Sequence, residues 1–256
     1  MNVEMSRTVK VGIIGCGEVA QLVHIPTLNY MSDFFRITYL CDLSPKTLEH
    51  CRQKVNHFSS PKTTADPEEV CKSKDVDVVF ILASTEFHAQ HAVLALQNNK
   101  IAFIEKPMAL NKSDLAQIIE AERGSQGTVM VGYMRRYATA FIDAVKEIGG
   151  MDQIRYATVR DLIGQNSLFT RQSGMFPKYV NDYSDEDKAR RKEVLEEMNR
   201  KALKDDLGVK VTDDSTAMYF LLGNLGCHDL SAMREALGMP QKVLGCSLDV
   251  KNVMWR

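Results

Sequence analysis

The chain has 256 residues, 45% of them hydrophobic and 25% charged, enough apolar material for one large or two ordinary packed domains. Lys plus Arg is 32 and Asp plus Glu is 33, a net charge of −1, which argues against a protein built around nucleic-acid phosphates or an anionic membrane surface. The six cysteines form no C-x-x-C pair and no zinc spacing, Met1 to Lys10 shows no apolar leader, and no run of eighteen apolar residues follows. These features point to a soluble protein of a reducing compartment, the cytoplasm, with its cysteines serving as small buried side chains.

In chain order, TVKVGIIG from Thr8 reads as a strand covered on both faces, as in a parallel sheet. Gly15 and Gly17 follow, then a helix to about Met31 that carries Pro26 near its start. Arg36 to Asp42 is a second strand, and Ser44 with Pro45 caps a helix running toward Phe58. Asp75 to Leu82 is a third strand, with a helix from Thr85 to Asn98 behind it. Lys100 to Glu105 is a fourth, and Thr128 to Tyr133 a fifth after a helix centred on Leu115 to Ala121. Five apolar strands separated by helices define a doubly wound α/β sheet.

The rhythm changes near Tyr133 to Arg136. A helix over Ala138 to Ile148 leads to a strand near Ile154 to Asp161, and a long loop covers Ile163 to Tyr183. Asp185 to Leu207 reads as a solvated amphipathic helix whose buried stripe is Val194, Met198 and Ala202 with Leu195 and Leu203. A helix over Ser215 to Leu237 and a strand over Val243 to Val250 complete the chain.

Gly15-Cys16-Gly17-Glu18-Val19-Ala20 is a G-x-G-x-x-A turn set between a strand and a helix. Its first glycine permits the tight turn, its second lets the backbone approach a pyrophosphate, and Ala20 lets helix and strand pack closely. The phosphates would meet unpaired N–H groups at the positive helix end. Asp42, after the second strand, stands where an acid accepts hydrogen bonds from an adenine ribose. A carboxylate there repels a 2′-phosphate and favours NAD, and Lys46 moderates that preference. The turn and the acid alone fit a nicotinamide dinucleotide or the cofactor of a methyltransferase. His88 and His91 sit three apart with no third ligand nearby in sequence, so a metal site is not expected.

Three further segments separate those readings: Ser84-Thr85-Glu86-Phe87-His88, Glu105-Lys106-Pro107, and Gly132-Tyr133-Met134-Arg135-Arg136-Tyr137. With GIIGCGEVA they resemble the Gfo/Idh/MocA family, the NAD(P)-dependent glucose–fructose oxidoreductase and inositol dehydrogenase group. His228 to Pro240 (HDLSAMREALGMP) resembles the same family more loosely. The resemblance implies a Rossmann dinucleotide-binding domain over residues 1–134. A substrate and oligomerisation domain over 135–256 would follow, α+β with an open, mostly antiparallel sheet, incomplete beside the family's. It implies an oxidoreductase acting on a secondary alcohol or carbonyl of a sugar, polyol or similar small molecule. Its cofactor would be NAD(P), with NAD favoured.

Carried onto this chain, Lys106 is the proton donor or acceptor, His228 faces substrate, and Asn224 takes a position where many members carry aspartate. An amide cannot hold the negative charge that would raise the basicity of its neighbours. Ser84, Thr85, His88, Glu105, Lys106 and Arg135 join Gly15, Gly17, Glu18, Val19, Ala20 and Asp42 along the cofactor. Arg135 and Arg136 are equally suited to pairing with acids. The family's second domain runs on beyond Arg256, so the chain is expected to be a fragment, a shortened product, or a subunit whose sheet is completed in a homo-oligomer. The rival reading is a non-catalytic NAD(P)-binding regulator or degenerate homologue. A short-chain dehydrogenase is disfavoured, because no Tyr-x-x-x-Lys pair is present.

Overall fold

The computed structural model describes residues 7–56, 60–149, 153–160, 172 and 174–245. Six strands form one parallel sheet in the order β3-β2-β1-β4-β5-β6. They are β1 (Val9–Ile14), β2 (Phe35–Cys41), β3 (Lys62–Thr64), β4 (Val78–Ile81), β5 (Ile101–Ile104) and β6 (Val129–Val131). Helices α1 (Ile25–Tyr30), α2 (Pro45–Lys54), α3 (Pro67–Lys72), α4 (His88–Gln97) and α5 (Lys112–Arg123) return the chain between strands. The five strands expected from sequence are all present. β3 and α3 are additions: a three-residue edge strand reading Lys-Thr-Thr buries too little to leave an apolar signature.

Local chemistry explains the starts. The Ser44 hydroxyl accepts from Thr47 N at 2.9 Å ahead of Pro45, the Asp66 carboxylate from Glu68 N at 2.8 Å, and the Asn111 side chain from Asp114 N at 2.8 Å. α1 is entered through a wider π-turn over Ala20–His24. Pro26 falls in the first turn of α1, where its missing N–H costs a hydrogen bond that the wider turn does not require.

Along β1 the side chains alternate between two cores. Val11 and Ile13 join Ile25, Leu28, Leu40 and Leu48 on the α1 and α2 face. Ile14 joins Val79, Ile81, Leu96, Ile104 and Ile118 on the face covered by α3, α4 and α5. Helices on both faces make the sheet doubly wound. Cys16, Cys41, Cys51 and Cys71 are buried as free thiols, as expected of small apolar fillers.

The chain packs as two compact units: the described residues of Met1–Gly132 and Leu162–Leu225 in one, those of Tyr133–Asp161 and Gly226–Arg256 in the other. The first unit therefore regains the chain after it has left. α7 (Asp185–Asn199) continues as a wider turn over Arg200–Asp206, with Met198, Ala202 and Leu203 buried and Val194 and Leu195 half-buried. Lys201 Nζ donates to Asp114 Oδ1 of α5 at 3.0 Å, and Lys112 N to Asp206 Oδ2 at 2.7 Å. The helix expected over Ser215 to Leu237 is α8 (Asp213–Leu221) and α9 (Cys227–Leu237), joined by a wider turn over Leu222–Gly226.

Among the described residues no strand follows β6, which corrects the strand expected near Ile154 to Asp161. Residues 154–160 are irregular, with Tyr156 85% and Val159 48% exposed, because no neighbouring strand receives their N–H and C=O groups. Val243 to Gly245 are likewise irregular and exposed, and 246–250 lie outside the described residues. Of the expected loop Ile163 to Tyr183, residues 172 and 174–183 are described. In the second unit α6 (Thr139–Ile148) follows a short 3-10 turn over Met134–Tyr137. No helix among the described residues is long and apolar enough to cross a membrane.

Candidate functional site

Parallel neighbours release their chains at the same sheet edge, which is where ligands of doubly wound sheets bind. Here β2, β1, β4 and β5 lie side by side and are followed by Asp42, Gly15, Ser84 and Glu105-Lys106 respectively. Four segments read separately from sequence thus converge on one rim.

Gly15 has φ +93°, and a Cβ there would stand 2.4 Å from the Ala83 nitrogen, so only glycine fits. At Gly17 the same test meets nothing within 4 Å: the turn is open on the side where a diphosphate would approach. Asp42 braces the turn from the next strand, Oδ2 accepting from Cys16 N at 2.8 Å and Oδ1 from Ser44 N at 2.9 Å. Burial pushes its carboxyl up, the two backbone N–H groups pull it partly back, and the Asp182 charge adds to the rise. A carboxylate offers about four lone-pair sites, so two remain for ribose hydroxyls. Val19 is exposed, Ala20 is buried as the close-packing position requires, and Glu18 Oε2 accepts from the Tyr179 hydroxyl at 2.9 Å.

The lysine lies at the other end of the rim. Lys106 Nζ donates to the Asn224 main-chain oxygen at 2.9 Å, and Thr85 Oγ1 donates to Asn224 Oδ1 at 3.0 Å. The Asn224 amide donates in turn to Phe220 O at 3.0 Å. Lys106, Thr85 and Asn224 are therefore brought together. His88 is fully buried behind them, Nδ1 2.7 Å from Pro107 O and Nε2 2.9 Å from Ala83 O, tying the loop after β4 to the cis Lys106–Pro107 peptide. Both its nitrogens are taken up by main-chain carbonyls, so it supports the rim from beneath.

Glu105 shows a partner that sequence reasoning missed. His24 Nε2 lies 2.8 Å from Glu105 Oε1, its ring edge-on to the stacked pair Phe80 and Phe103, and Lys106 N donates to Glu105 Oε2 at 3.1 Å. Burial alone would raise the Glu105 carboxyl. The His24 ring and the Lys106 N–H and charge outweigh it and leave the group below its ordinary 4.5. A carboxyl lowered on folding contributes stability above its unfolded value that is lost as pH falls through the folded one. Glu105→Gln is therefore expected to lower Tm at pH 7 by a few degrees and to flatten the acid side of the stability profile below about pH 4.5. Thermal melts across pH 3 to 7 check this, and an unchanged acid limb would count against the pair.

The second unit holds the remaining expected residues. His228 is buried on α9 with its ring edge-on to Tyr133, centroids 6.3 Å apart. Arg135 Nη1 pairs with Asp229 Oδ1 at 3.3 Å and Arg136 pairs with Glu235, so both arginines serve acids of α9.

Beside Asp42 opens a cavity of about 280 Å³ in the first unit, bounded by Gly15, Asp42 and Ser84 on the sheet side. Pockets for whole ligands run from roughly 300 Å³ upward, so this space suits one end of a dinucleotide. Its outer wall comes from Tyr183 and α7, which no sequence motif announced.

A Gly-rich turn, an acid on the next strand and a lysine thus share one rim of a Rossmann-type parallel sheet. Residues 9–133 match the profile of an oxidoreductase family described as having an NAD-binding Rossmann fold, Gfo/Idh/MocA. Inositol 2-dehydrogenase of Salmonella typhimurium is 34% identical over 136 residues, 53% of this chain and 40% of that protein. The myo-inositol dehydrogenase of Lactobacillus casei, solved with NAD(H) and myo-inositol, aligns over 56% of this chain and 41% of its own, with TM-score 0.51 and 24% identity. The WlbA dehydrogenase of Bordetella pertussis, solved with NADH and UDP-GlcNAcA, gives TM-score 0.51 at 19% identity over 56% of this chain and 40% of its own. The similarity thus spans about two fifths of each relative's length.

Proposed function

We propose that this protein is an NAD(P)-dependent oxidoreductase, favouring NAD, that interconverts a secondary alcohol and a carbonyl on a polyol, sugar or similar hydroxylated small molecule. The observation that carries this reading is the shared rim: the open Gly17 turn, the Asp42 carboxylate and the Lys106 amine follow neighbouring strands of one parallel sheet. The inositol 2-dehydrogenase relative, 34% identical over the matched part, supports the substrate class.

In this reading Gly15, Gly17 and the N–H groups entering the helix at Glu18 to Ala20 hold the diphosphate, and Asp42 accepts from the adenine ribose. A bound nicotinamide supplies the hydride acceptor or donor. Lys106 Nζ takes the hydroxyl proton as the alcohol is oxidised and returns it as the carbonyl is reduced. The Asn224 main-chain oxygen holds the lysine's head, and Thr85 holds the Asn224 side chain. His228 is assigned to substrate by family resemblance.

Titration calorimetry of the purified protein with NADH and NADPH tests the reading. Micromolar binding with NADH the tighter ligand is expected, and no heat with either would overturn it. Turnover follows from nicotinamide absorbance on a panel of inositols and hexoses. A second reading, cofactor binding without turnover, draws on Asn224, an amide where many family members carry aspartate. NADH binding with no change of absorbance on any panel member would favour it.

A further inference from the structure

A nearly buried pair of titratable groups lies one residue from the lysine assigned to the proton, and the proton transfer itself does not use it. The side chains of His24 and Glu105 are only 11% and 17% exposed. A carboxylate set against aromatic rings is costly to bury unless its oxygens are engaged, and here each oxygen has its own partner. Phe80 of β4, Phe103 of β5 and Glu105 beyond β5 face the His24 ring, and of these only Glu105 carries charge. Because its carboxyl is held below the ordinary 4.5, Glu105 is an acceptor only at neutral pH. His24 Nε2 therefore carries the hydrogen and donates to Oε1, while Oε2 accepts from the Lys106 N–H.

That division of the two oxygens matters for the amine. Lys106 follows Glu105 directly, and its charge acts on the Glu105 carboxyl beside that of His24. A Glu105 freed from His24 would be left with the lysine as its charged partner. An ion pair between them would draw Nζ from the Asn224 oxygen 2.9 Å away and tighten its hold on the proton. The imidazole keeps the carboxylate on the Lys106 main chain instead. It also ties two parts of the rim together: His24 ends the wider turn Ala20–His24 that continues the glycine motif, and Glu105 and Lys106 follow β5.

Resting on the reading of Lys106 as the proton acceptor, we propose that His24 is a positioning residue: through Glu105 it fixes the lysine main chain and keeps the amine out of a competing ion pair. The glycine motif and the proton-transfer group are thereby set relative to each other by one buried contact.

Two variants test this. His24→Leu is expected to lower kcat about tenfold or more on a polyol that wild type oxidises, with NADH affinity within about twofold. His24→Gln, whose amide nitrogen reaches roughly where Nε2 stands, is expected to bring kcat back to within about threefold of wild type. A pair that served stability alone would lower Tm and leave kcat of the folded variants unmoved, and that result overturns the proposal. A loss confined to NADH affinity overturns it as well. A further measurement needs neither variant nor cofactor. In protein labelled with ¹⁵N-histidine, Lys106→Met is expected to raise the His24 titration midpoint by about half a pH unit, because a cation acting on the shared carboxylate is gone. Identical His24 titrations in Lys106→Met and wild type overturn the link even where the His24 variants misfold. A wild-type protein that binds NADH yet turns over no substrate removes the reading of Lys106 itself, whichever way the titration falls.

Discussion

Lys106→Met is expected to abolish measurable turnover, a loss of about 10²-fold or more, while NADH affinity stays within severalfold. Methionine retains an unbranched side chain of similar reach and removes the amine proposed to exchange a proton with the substrate hydroxyl. The fold has little at stake, because the lysine's polar contact is one hydrogen bond to the Asn224 carbonyl. Such a bond contributes about 1 kcal/mol net. Steady-state turnover on a responsive polyol, set beside calorimetric NADH binding, separates chemistry from cofactor capture. Turnover within tenfold of wild type would remove the lysine from the mechanism. A parallel loss of NADH affinity would make it a binding residue.

Gly15→Ala and Gly17→Ala are expected to fail in opposite ways, although the residues are two positions apart in one motif. An alanine at Gly15 must adopt φ near +93° with its Cβ 2.4 Å from the Ala83 nitrogen, an overlap with backbone that no rotamer relieves. The left-handed conformation alone costs roughly 1–2 kcal/mol, and the overlap forces β1 and β4 apart at their ends. With a further 2–3 kcal/mol for that displacement, Tm should drop by about 10 °C, or the chain should fail to fold. At Gly17 the added methyl meets nothing in the protein, so Tm should stay within about 2 °C. The methyl would instead occupy the approach of the diphosphate and weaken NADH by at least about tenfold, some 1.4 kcal/mol. Thermal melts and calorimetry on the two variants decide it. An unaltered NADH affinity in Gly17→Ala would place the phosphates elsewhere, and a native Tm in Gly15→Ala would contradict the close approach to Ala83.

The sheet was legible because its strands carry continuous β-branched runs, such as Val9 to Ile14, that suit burial on both faces. The caps at Ser44, Asp66 and Asn111 are local chemistry, readable within three residues. The edge strand Lys62–Thr64 left no trace, since an edge needs backbone pairing and not apolar side chains. Ile154 to Asp161 misled for the converse reason. Its composition suits a strand, but a strand exists only where another offers its backbone, and residues 154–160 have none among the described residues.

Within the site, glycine turn, acid and lysine could be read because each obeys a spacing rule inside one βα unit. Their partners could not. His24 meets Glu105 across 81 positions and Arg191 meets Glu86 across 105. Arg135, equally suited by sequence to cofactor or to an acid, pairs with Asp229, 94 positions on, and His88 faces two carbonyls of its own protein. Whether a charged or imidazole side chain meets ligand or protein depends on which elements the topology stacks beside it, and a linear spacing holds no record of that.

Sequence by itself determined the order of strands and helices, the places where the backbone must turn, and the kind of chemistry each turn can hold, because those depend on neighbours a few residues apart. Tertiary structure alone decided that residues 178–206 rejoin the sheet and cover the cavity beside Asp42. Long-range packing sets those relations, and buried atoms acquire or lose partners only when distant segments meet.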